Sequence, residues 1–296
     1  MDRILFYVHY NKKNLISPHV KYQIDKIRPI FKSIVFISNS KLTREDKIKL
    51  ESICDKVIER QNYGFDFAAW RDGISYLGWK KLMKYDSMTL MNDTTFGPIY
   101  SLKYVYEKME EKKINFWGIT DHAYSKNGMP GDNSEIPYHI QSYMIVYDKK
   151  MIQSEIFQKF WHNVKNYTDI NLVIKNYETK LTGLFNNAGF TSDVFFRTIE
   201  YSNNHNITIH NYAELLPKIL LKNKTPLLKI KSFQHIPIKI IFKFINKTDY
   251  PTHLIKDHLG TMNIKNVNTL HFYFTLIKSM FYGYAKLIYN KLNNEN

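Results

Sequence analysis

Residues 56–93 read KVIERQNYGFDFAAWRDGISYLGWKKLMKYDSMTLMND. KVIER is a short, partly β-branched run suited to a strand. The turn formers Asn62 and Gly64 follow it, and the apolar spacing in DFAAWRDGISYLGW then predicts a helix. SMTLMND, Ser87 to Asp93, reads as a second strand, buried along its length. Strand, helix, strand with a crossover of this length makes a parallel pair. The same stretch sets Asp66, Arg71 and Asp72 among Phe65, Phe67 and Trp70. A carboxylate in the first turn of a helix is favoured by the helix dipole. One that is also partly buried needs a polar partner. A nucleotide site at a strand's carboxyl end would use such a network; a plain capping acid would not need it.

Outward from this unit the pattern repeats. RILFYVHY (Arg3 to Tyr10) and SIVFIS (Ser33 to Ser38) read as buried parallel strands. SPHVKYQIDKIRPIF lies between them, with Val20, Ile24 and Ile27 at helical spacing. TREDKIKLESIC opens with Thr43 as an N-cap and acids in its first turn, so it reads as a helix. The order β-α-β-α-β-α-β predicts an α/β fold with a mostly parallel sheet flanked by helices. Ligands of such sheets sit beyond the carboxyl ends of the strands. Here those ends are His9–Asn11, Ser38–Ser40, Gln61–Gly64 and Asn92–Thr94.

Downstream, INFWGITDH and IQSYMIVYDKKMI read as strands. EIFQKFWHNV and YETKLTGLFNNAGF read as helices. The last has Glu178 at its start, Leu181, Leu184 and Phe185 on one face, and Gly189 as its C-cap. From about Pro217 lysines interleave with apolar residues and prolines recur. The expected organisation is one domain over residues 1–216 and a basic, aromatic, partly helical extension over 217–296. NTLHFYFTLIKSMFYGYAKLIYNKL closes the extension as a long helix from Asn268. On it Leu270, Tyr273, Ile277, Phe281, Tyr284 and Ile288 share a face, accompanied by Lys278, Lys286 and Lys291.

With 296 residues, 44% of them hydrophobic, the chain can bury a sizeable core. Its single cysteine, Cys54, excludes an internal disulfide and points to a reducing compartment, the cytoplasm. The N-terminal apolar run is only about six residues long and reads as a first strand, not a signal peptide. No uninterrupted apolar stretch of roughly 20 residues is present, so no spanning helix is predicted. The net charge is +15, and residues 217–296 carry 13 lysines and no arginine against Asp249, Asp257 and Glu295. Such a surface suits nucleic acid, an anionic membrane or a phosphorylated ligand. It also suits simple solubility. No nucleic-acid-binding motif accompanies it, and no nucleic-acid partner is expected.

Three further stretches carry chemistry. In LMNDTTFGP, Asn92 and Asp93 close a buried strand. A carboxylate there can hold a divalent cation against a diphosphate, although an Asn-Asp pair is also an ordinary turn former. Beyond WGIT, Asp121 can contact an acceptor and His122 can ligate metal; both also fit a surface loop. GMPGDNSEIP, Gly128 to Pro137, reads as a mobile loop over the site. His139, Gln141 and Ser142 lead into a strand and can face an acceptor. Trp70, Trp117 and Trp161 read as core. Glu178, taken alone, is an ordinary first-turn glutamate.

In chain order, NYGFDFAAWRDGI, LMNDTTFGPI, FWGIT, HIQSYMIVYDKKMI, FWHNV, YETKLTGLFNNAGF, PLLKIKSF and DYPTHLIKDHL resemble the rhamnan synthesis protein F family. These are bacterial glycosyltransferases of cell-surface polysaccharide and lipopolysaccharide synthesis. The resemblance runs from near the N-terminus to about Leu259. It implies a GT-A-like fold and transfer of a sugar, L-rhamnose favoured, from a nucleotide-diphosphate donor such as dTDP-L-rhamnose to a lipid-linked glycan acceptor. NYGFDFAAWRDGI is also similar to the nucleotide-contacting segment of inverting GT-A enzymes. This implies donor contacts by Asn62, Gly64, Asp66, Arg71 and Asp72, with His9, Asn92 and Asp93 beside them. MND stands where those enzymes carry D-x-D, which implies Mn²⁺ or Mg²⁺ at Asp93. It departs from that pattern by offering Asn92 in place of the first acid. YETKL…AGF is similar to the segment that carries their general base. Glu178 stands in the place of its aspartate and Tyr177 in that of its glutamate. Glu178 is therefore implied as the base, with Asp121 as the alternate.

The chemistry agrees with that assignment. Inverting transfer needs one base for the acceptor hydroxyl and positive charge or metal at the leaving diphosphate. It needs no second carboxylate as nucleophile. The expected setting is cytoplasmic and peripheral at the inner face of the cell membrane, with the basic, aromatic tail meeting anionic lipid. The rival expectation is a non-catalytic module of the same fold that binds an anionic membrane or a glycan partner.

Overall fold

In the computed structural model, which describes residues 1–205, 212–265 and 267, the sheet forms where the apolar runs predict it. The strands are β1 (Arg3–His9), β2 (Ser33–Ser38), β3 (Lys56–Glu59), β4 (Ser87–Asn92), β5 (Thr95–Phe96), β6 (Phe116–His122), β7 (His139–Ile140), β8 (Met144–Asp148), β9 (Ser192–Phe196) and β10 (Leu228–Lys229). The main sheet runs β3-β2-β1-β4-β8-β6-β7, with β9 on β6. β3, β2, β1 and β4 are parallel neighbours, and β9 is parallel to β6. β8 lies antiparallel between β4 and β6. This is the expected α/β arrangement, a mostly parallel sheet flanked by helices. β5 and β10 form a small antiparallel ribbon beside it.

Two apolar layers follow from the period-two alternation of the central strands. Leu5, Tyr7 and Phe36 face Ile24, Ile27, Val105 and Tyr106 on one side. Ile4, Phe6, Val8 and Ile37 face Phe67, Trp70 and Ile74 on the other. The helix Phe65–Leu77 lies directly on the sheet because Gly73 has no side chain. A Cβ there would stand 2.4 Å from Ile37 Cδ1 and 2.9 Å from Phe6 Cδ1. Trp70, Trp117 and Trp161 are all buried in the core.

Register sets the edge on which a site can form. Val8 pairs with Asn92 and His9 with Ser38, so β1, β2 and β4 end nearly level. The next amides close that edge: Asp93 N donates to Val8 O, and Asn39 N donates to His9 O.

Several expectations shift. The helix that was to run through Trp79 breaks at Gly78, whose φ of 80° suits glycine, and restarts as Trp79–Leu82. IQSYMIVYDKKMI is not one strand. Its first residue, Ile140, ends β7; β8 follows; Asp148 then caps the helix Lys149–Ile152 by accepting from Met151 N. Glu178 is not at a helix start. The run begins at Ile170 after the Asp169 cap, passes through a π-helical turn at Ile174–Glu178, and continues as Thr179–Asn187. On that last helix Leu181 and Phe185 are buried, whereas Leu184 is turned to solvent. Asp121 and His122 are not in a surface loop; they end β6 and are buried. The segment Gly128–Pro137 is tied down: Ile136 bridges Ser125, Met129 is buried, and Asp132 pairs with Lys175.

Residues 217–265 pack against the rest of the chain rather than trailing from it. Leu221, Leu228, Phe233, Ile241, Ile245, Tyr250 and Ile255 form a third apolar cluster with Phe96 and Ile99. The long helix expected from Asn268, with all its face residues and lysines, lies outside the described residues. Among the described residues no helix is long and apolar enough to cross a membrane.

A buried histidine pair joins this segment to the helix Pro18–Ile27. The rings of His19 and His258 are 4.3 Å apart, and His258 Nδ1 shares a hydrogen bond with Ser17 Oγ at 3.0 Å. Burial lowers His258 from 6.5 to about 4. Burial lowers His19 well below 6.5 as well, with the nearby His258 adding to the effect. A histidine depressed in the folded state binds fewer protons there than when unfolded. Its stability contribution is therefore complete above the unfolded value of 6.5 and is lost as pH falls toward 4. Over that window each such histidine removes about 1.4 kcal/mol per pH unit. Urea unfolding of His258→Gln from about pH 7 to about pH 4.5 should show a shallower acid-side loss than wild type. Equal slopes would remove His258 from the account.

Candidate functional site

The level strand ends bring Asn92 and Asp93 to the mouth of the helix Phe65–Leu77. Asn92 Nδ2 donates to Asp66 Oδ2 at 2.7 Å. Asn92 Oδ1 accepts from Thr94 N at 3.2 Å and from Thr94 Oγ1 at 2.6 Å. An amide here supplies both a donor and an acceptor. An ionised aspartate at 92 would have no proton for Asp66 and would repel it. Asp93 Oδ2 accepts from Tyr10 N at 3.0 Å. His9 Nε2 lies 3.9 Å from that oxygen, but burial holds His9 down to about 4. The neutral ring is a tie between Ser38 Oγ and Leu15 O rather than a countercharge.

These acids are pushed toward their protonated forms. Burial raises Asp66 to about 6 against the Asn92 hydrogen bond. Burial, with the charge of Asp66 adding, raises Asp93 to about 8. Glu178 goes the other way. Burial would raise it, but His139, Lys229 and the Ser142 hydrogen bonds outweigh that and hold it below the ordinary glutamate value. Ser142 donates to Glu178 Oε1 twice, from its amide at 3.2 Å and its hydroxyl at 2.8 Å. Carboxyl groups pushed apart in this way can take different roles in one reaction.

The other expected residues are placed as follows. Asp121 is buried, and its carboxylate accepts from the amide and the hydroxyl of Thr198, so Glu178 is the more open of the two expected catalytic acids. Gln141 is turned inward, accepting from Thr120 Oγ1 at 2.6 Å. His139 Nδ1 donates to Pro137 O at 2.8 Å, and the ring stacks on His122 at 5.0 Å. His122 Nδ1 meets Ala123 O at 2.8 Å. Among the described residues no group of three His, Cys, Asp or Glu is arranged to hold a metal. Asp93 and His122 therefore do not belong to a three-ligand set. A divalent cation at Asp93 fits only with its remaining positions filled by phosphate oxygens and water, a mode that Mg²⁺ uses.

Arg71 and Asp72 do not share a network with Asp66. Asp72 sits between Arg71 and Arg60, 2.6 Å and 2.7 Å away. Arg71 also donates to Val164 O and Asn166 Oδ1, and Arg60 to Asn39 Oδ1 and Tyr63 O. This clamp fixes the turn that leads into the helix. In that turn Asn62 Oδ1 is buried without a hydrogen-bond partner, and Gly64 N donates to Tyr167 O at 2.8 Å. Phe65 adopts a φ of 51°, a costly left-handed conformation for an aromatic residue, at the mouth of the site.

Sequence reasoning missed Arg60 and Lys229. Lys229, on β10, holds its ammonium 5.0 Å from the centre of the Tyr143 ring. Burial lowers its pKa, opposed chiefly by the charges of Glu178, Glu214 and Asp66. The available signal was a lone lysine inside the apolar run Leu227, Leu228, Ile230.

Comparison with known proteins places this geometry in a family. The model described as rhamnan synthesis protein F matches residues 34–284, and the chain belongs to that family. The protein named "Uncharacterized protein y4gN" of Sinorhizobium fredii is 32% identical over 53% of this chain and 39% of its own length. "Virulence protein VirA" of Vibrio anguillarum is 30% identical over 48% of this chain and 42% of its own. The chain thus spans about two fifths of the length of these curated relatives. Among solved structures, 4-diphosphocytidyl-2C-methyl-D-erythritol synthase from Anaerococcus prevotii is 12% identical, covering 66% of this chain and 89% of that one, with a TM-score of 0.40. Core-mannan synthase A from Aspergillus fumigatus, in an Mn/GDP form, is 10% identical, covering 55% and 63%, with a TM-score of 0.32.

Gly64 offers a direct test of the helix mouth. Its φ is 70°, and a Cβ would lie 2.4 Å from Ala68 Cβ and 3.0 Å from Asn166 Cα. Gly64→Ala should destabilise the fold by about 2–4 kcal/mol in urea unfolding, through strain and overpacking together. A loss below about 0.5 kcal/mol would show that the turn relaxes freely.

Proposed function

We propose that this chain is an inverting glycosyltransferase that transfers a sugar from a nucleotide-diphosphate donor, L-rhamnose from dTDP-L-rhamnose favoured, to a lipid-linked glycan of the cell surface. Membership of the rhamnan synthesis protein F family supports the nucleotide-sugar glycosyltransferase class. The observation that carries the reaction type is the position of Glu178. It is one half-buried carboxylate, favoured in its ionised form, with Oε1 fixed by Ser142. Across from it lie acids whose surroundings favour the proton.

In this reading Glu178 accepts the proton of the acceptor hydroxyl. The acceptor oxygen bonds to the anomeric carbon as the bond from that carbon to the diphosphate breaks, and the nucleoside diphosphate departs. No second carboxylate nucleophile is required. Asn62, Gly64 and Asp66 line the donor side at the mouth of the helix, with Asn92 and Asp93 at the strand end. Arg71 and Asp72 hold that wall in place. His139 and Ser142 border the acceptor side. Asp93 would hold a divalent cation, which when bound supplies positive charge at the diphosphate. Peripheral contact with an anionic membrane would bring the chain to its acceptor.

Two variants test this. Glu178→Gln keeps shape and loses basicity, so turnover should fall roughly 10²- to 10⁴-fold while donor affinity survives. Measured transfer reduced by less than about tenfold would assign the proton to another group. Absence of transfer in the wild type would leave the non-catalytic module as the better account. Asp93→Ala should abolish transfer with the fold intact by circular dichroism; normal turnover would take Asp93 out of the site.

A further inference from the structure

Lys229 stands out once the acids of the cleft are matched with their partners. Asp66 is bonded by Asn92, Asp93 by the Tyr10 amide, and Glu178 by Ser142. Lys229 has an aromatic face and no hydrogen-bond acceptor or ion-pair partner among the described residues. A half-buried ammonium with its donors unfilled is costly. Its neighbours include an acid that leans toward protonation, Asp66, and one already held by two hydrogen bonds, Glu178.

Its place in the fold is also specific. β10 pairs with β5 so that Lys229 lies opposite Thr95, and Ile230 N donates to Thr94 O at 2.9 Å. Thr94 and Thr95 directly follow Asp93. The Tyr143 ring beneath the ammonium belongs to the residue after Ser142, which holds Glu178. The cation is therefore carried by a strand hydrogen-bonded to the segment after Asp93, and it lies over the ring next in sequence to the residue that holds the expected base.

We propose that Lys229 binds the diphosphate of the nucleotide donor and offsets the charge that develops on it as it leaves. This rests on the glycosyltransferase reading and adds the group that meets the leaving anion. An ammonium set where negative charge grows stabilises that charge without rearrangement at the moment of reaction. It also accounts for a half-buried lysine with no hydrogen-bond or ion-pair partner among the described residues: that partner arrives with the donor. The lysine neither gives up its proton nor forms a bond in this role.

The experiment uses the full chain and a panel of UDP, GDP and dTDP, each beside its parent nucleoside, in isothermal titration. Wild type should bind one diphosphate more tightly than the matching nucleoside. Lys229→Met should weaken that diphosphate by about tenfold or more, the scale of a lost charged hydrogen bond, and leave the nucleoside unchanged. Lys229→Arg should restore most of the difference. Equal diphosphate affinity in wild type and Lys229→Met would overturn the proposal alone. Wild type that binds none of the three would overturn the glycosyltransferase reading together with it. Amine acylation of wild type, read by mass spectrometry, serves should the methionine variant not fold. The bound diphosphate should protect Lys229, and labelling that is indifferent to it would overturn the assignment.

Discussion

The side-chain amide of Asn92 is the joint on which the cleft depends. It donates to Asp66 across 2.7 Å and accepts from Thr94, so one residue links the end of β4, the start of the helix Phe65–Leu77 and the turn toward β5. All three elements have their own reasons to be near one another: the level register of β1 and β4, the seat of Gly73 on Ile37 and Phe6, and the β5–β10 ribbon. None of those contacts orients Asp66. The amide does, because it alone at that point carries a donor and an acceptor in fixed geometry. With Asn92 in this role, Asp66 need not be ionised to be satisfied, and its burial can raise it to about 6 without leaving a naked charge.

That arrangement determines the charge pattern around it. Asp66 and Asp93 are near enough for each ionised form to disfavour the other, and both are sheltered from water. Like charges in a low dielectric are relieved by protonation or by a cation. Glu178 avoids the same fate because Ser142, His139 and Lys229 stand beside it. The result is a cluster of sheltered acids with one lysine beside them. Burial pushes Asp66 and Asp93 toward their protonated forms, and Lys229 has no hydrogen-bond or ion-pair partner among the described residues. A ligand that brings both an anion and a cation would complement the cluster. A nucleotide diphosphate with a hydrated metal has that composition, which is why the Lys229 and Asp93 proposals are compatible rather than competing.

Much of the fold could be read from the sequence, and the reason is physical. β1, β2 and β4 are continuous apolar runs, and the helices between them keep the 3.6-residue spacing, so burial alone specifies them. Thr43 caps its helix as its spacing predicts, accepting from Asp46 N. The candidate site was legible only where it is local. Asp66, Asn92 and Asp93 sit at predicted element ends. The partnership of Asp66 with Asn92 rather than Arg71 depends on which face of the helix each residue takes, and one turn of rotation separates the answers. Glu178 reads as a first-turn acid because nothing in NYETKL announces a π-helical turn or the helix already running from Ile170. Asp121 looks like a loop acid because its partner, Thr198, is remote in sequence.

Lys229 shows where such reading stops. A lysine in a strand of two residues has no periodicity to reveal it, and its significance comes from a pairing with β5, which lies far earlier in the sequence. That pairing also changes how residues 217–265 should be regarded. An extension that only solubilised the domain would need no apolar cluster of its own and no strand laid against the segment after Asp93. This one has both, and its His258 packs on His19 and shares a hydrogen bond with Ser17. The composition boundary near Pro217 marks a change of surface chemistry, from mixed charge to lysine. The interactions cross it. The segment beyond the boundary pairs with β5 and sets half-buried Lys229 against the Tyr143 ring, so the basic character of this part of the chain is not only a property of its exterior.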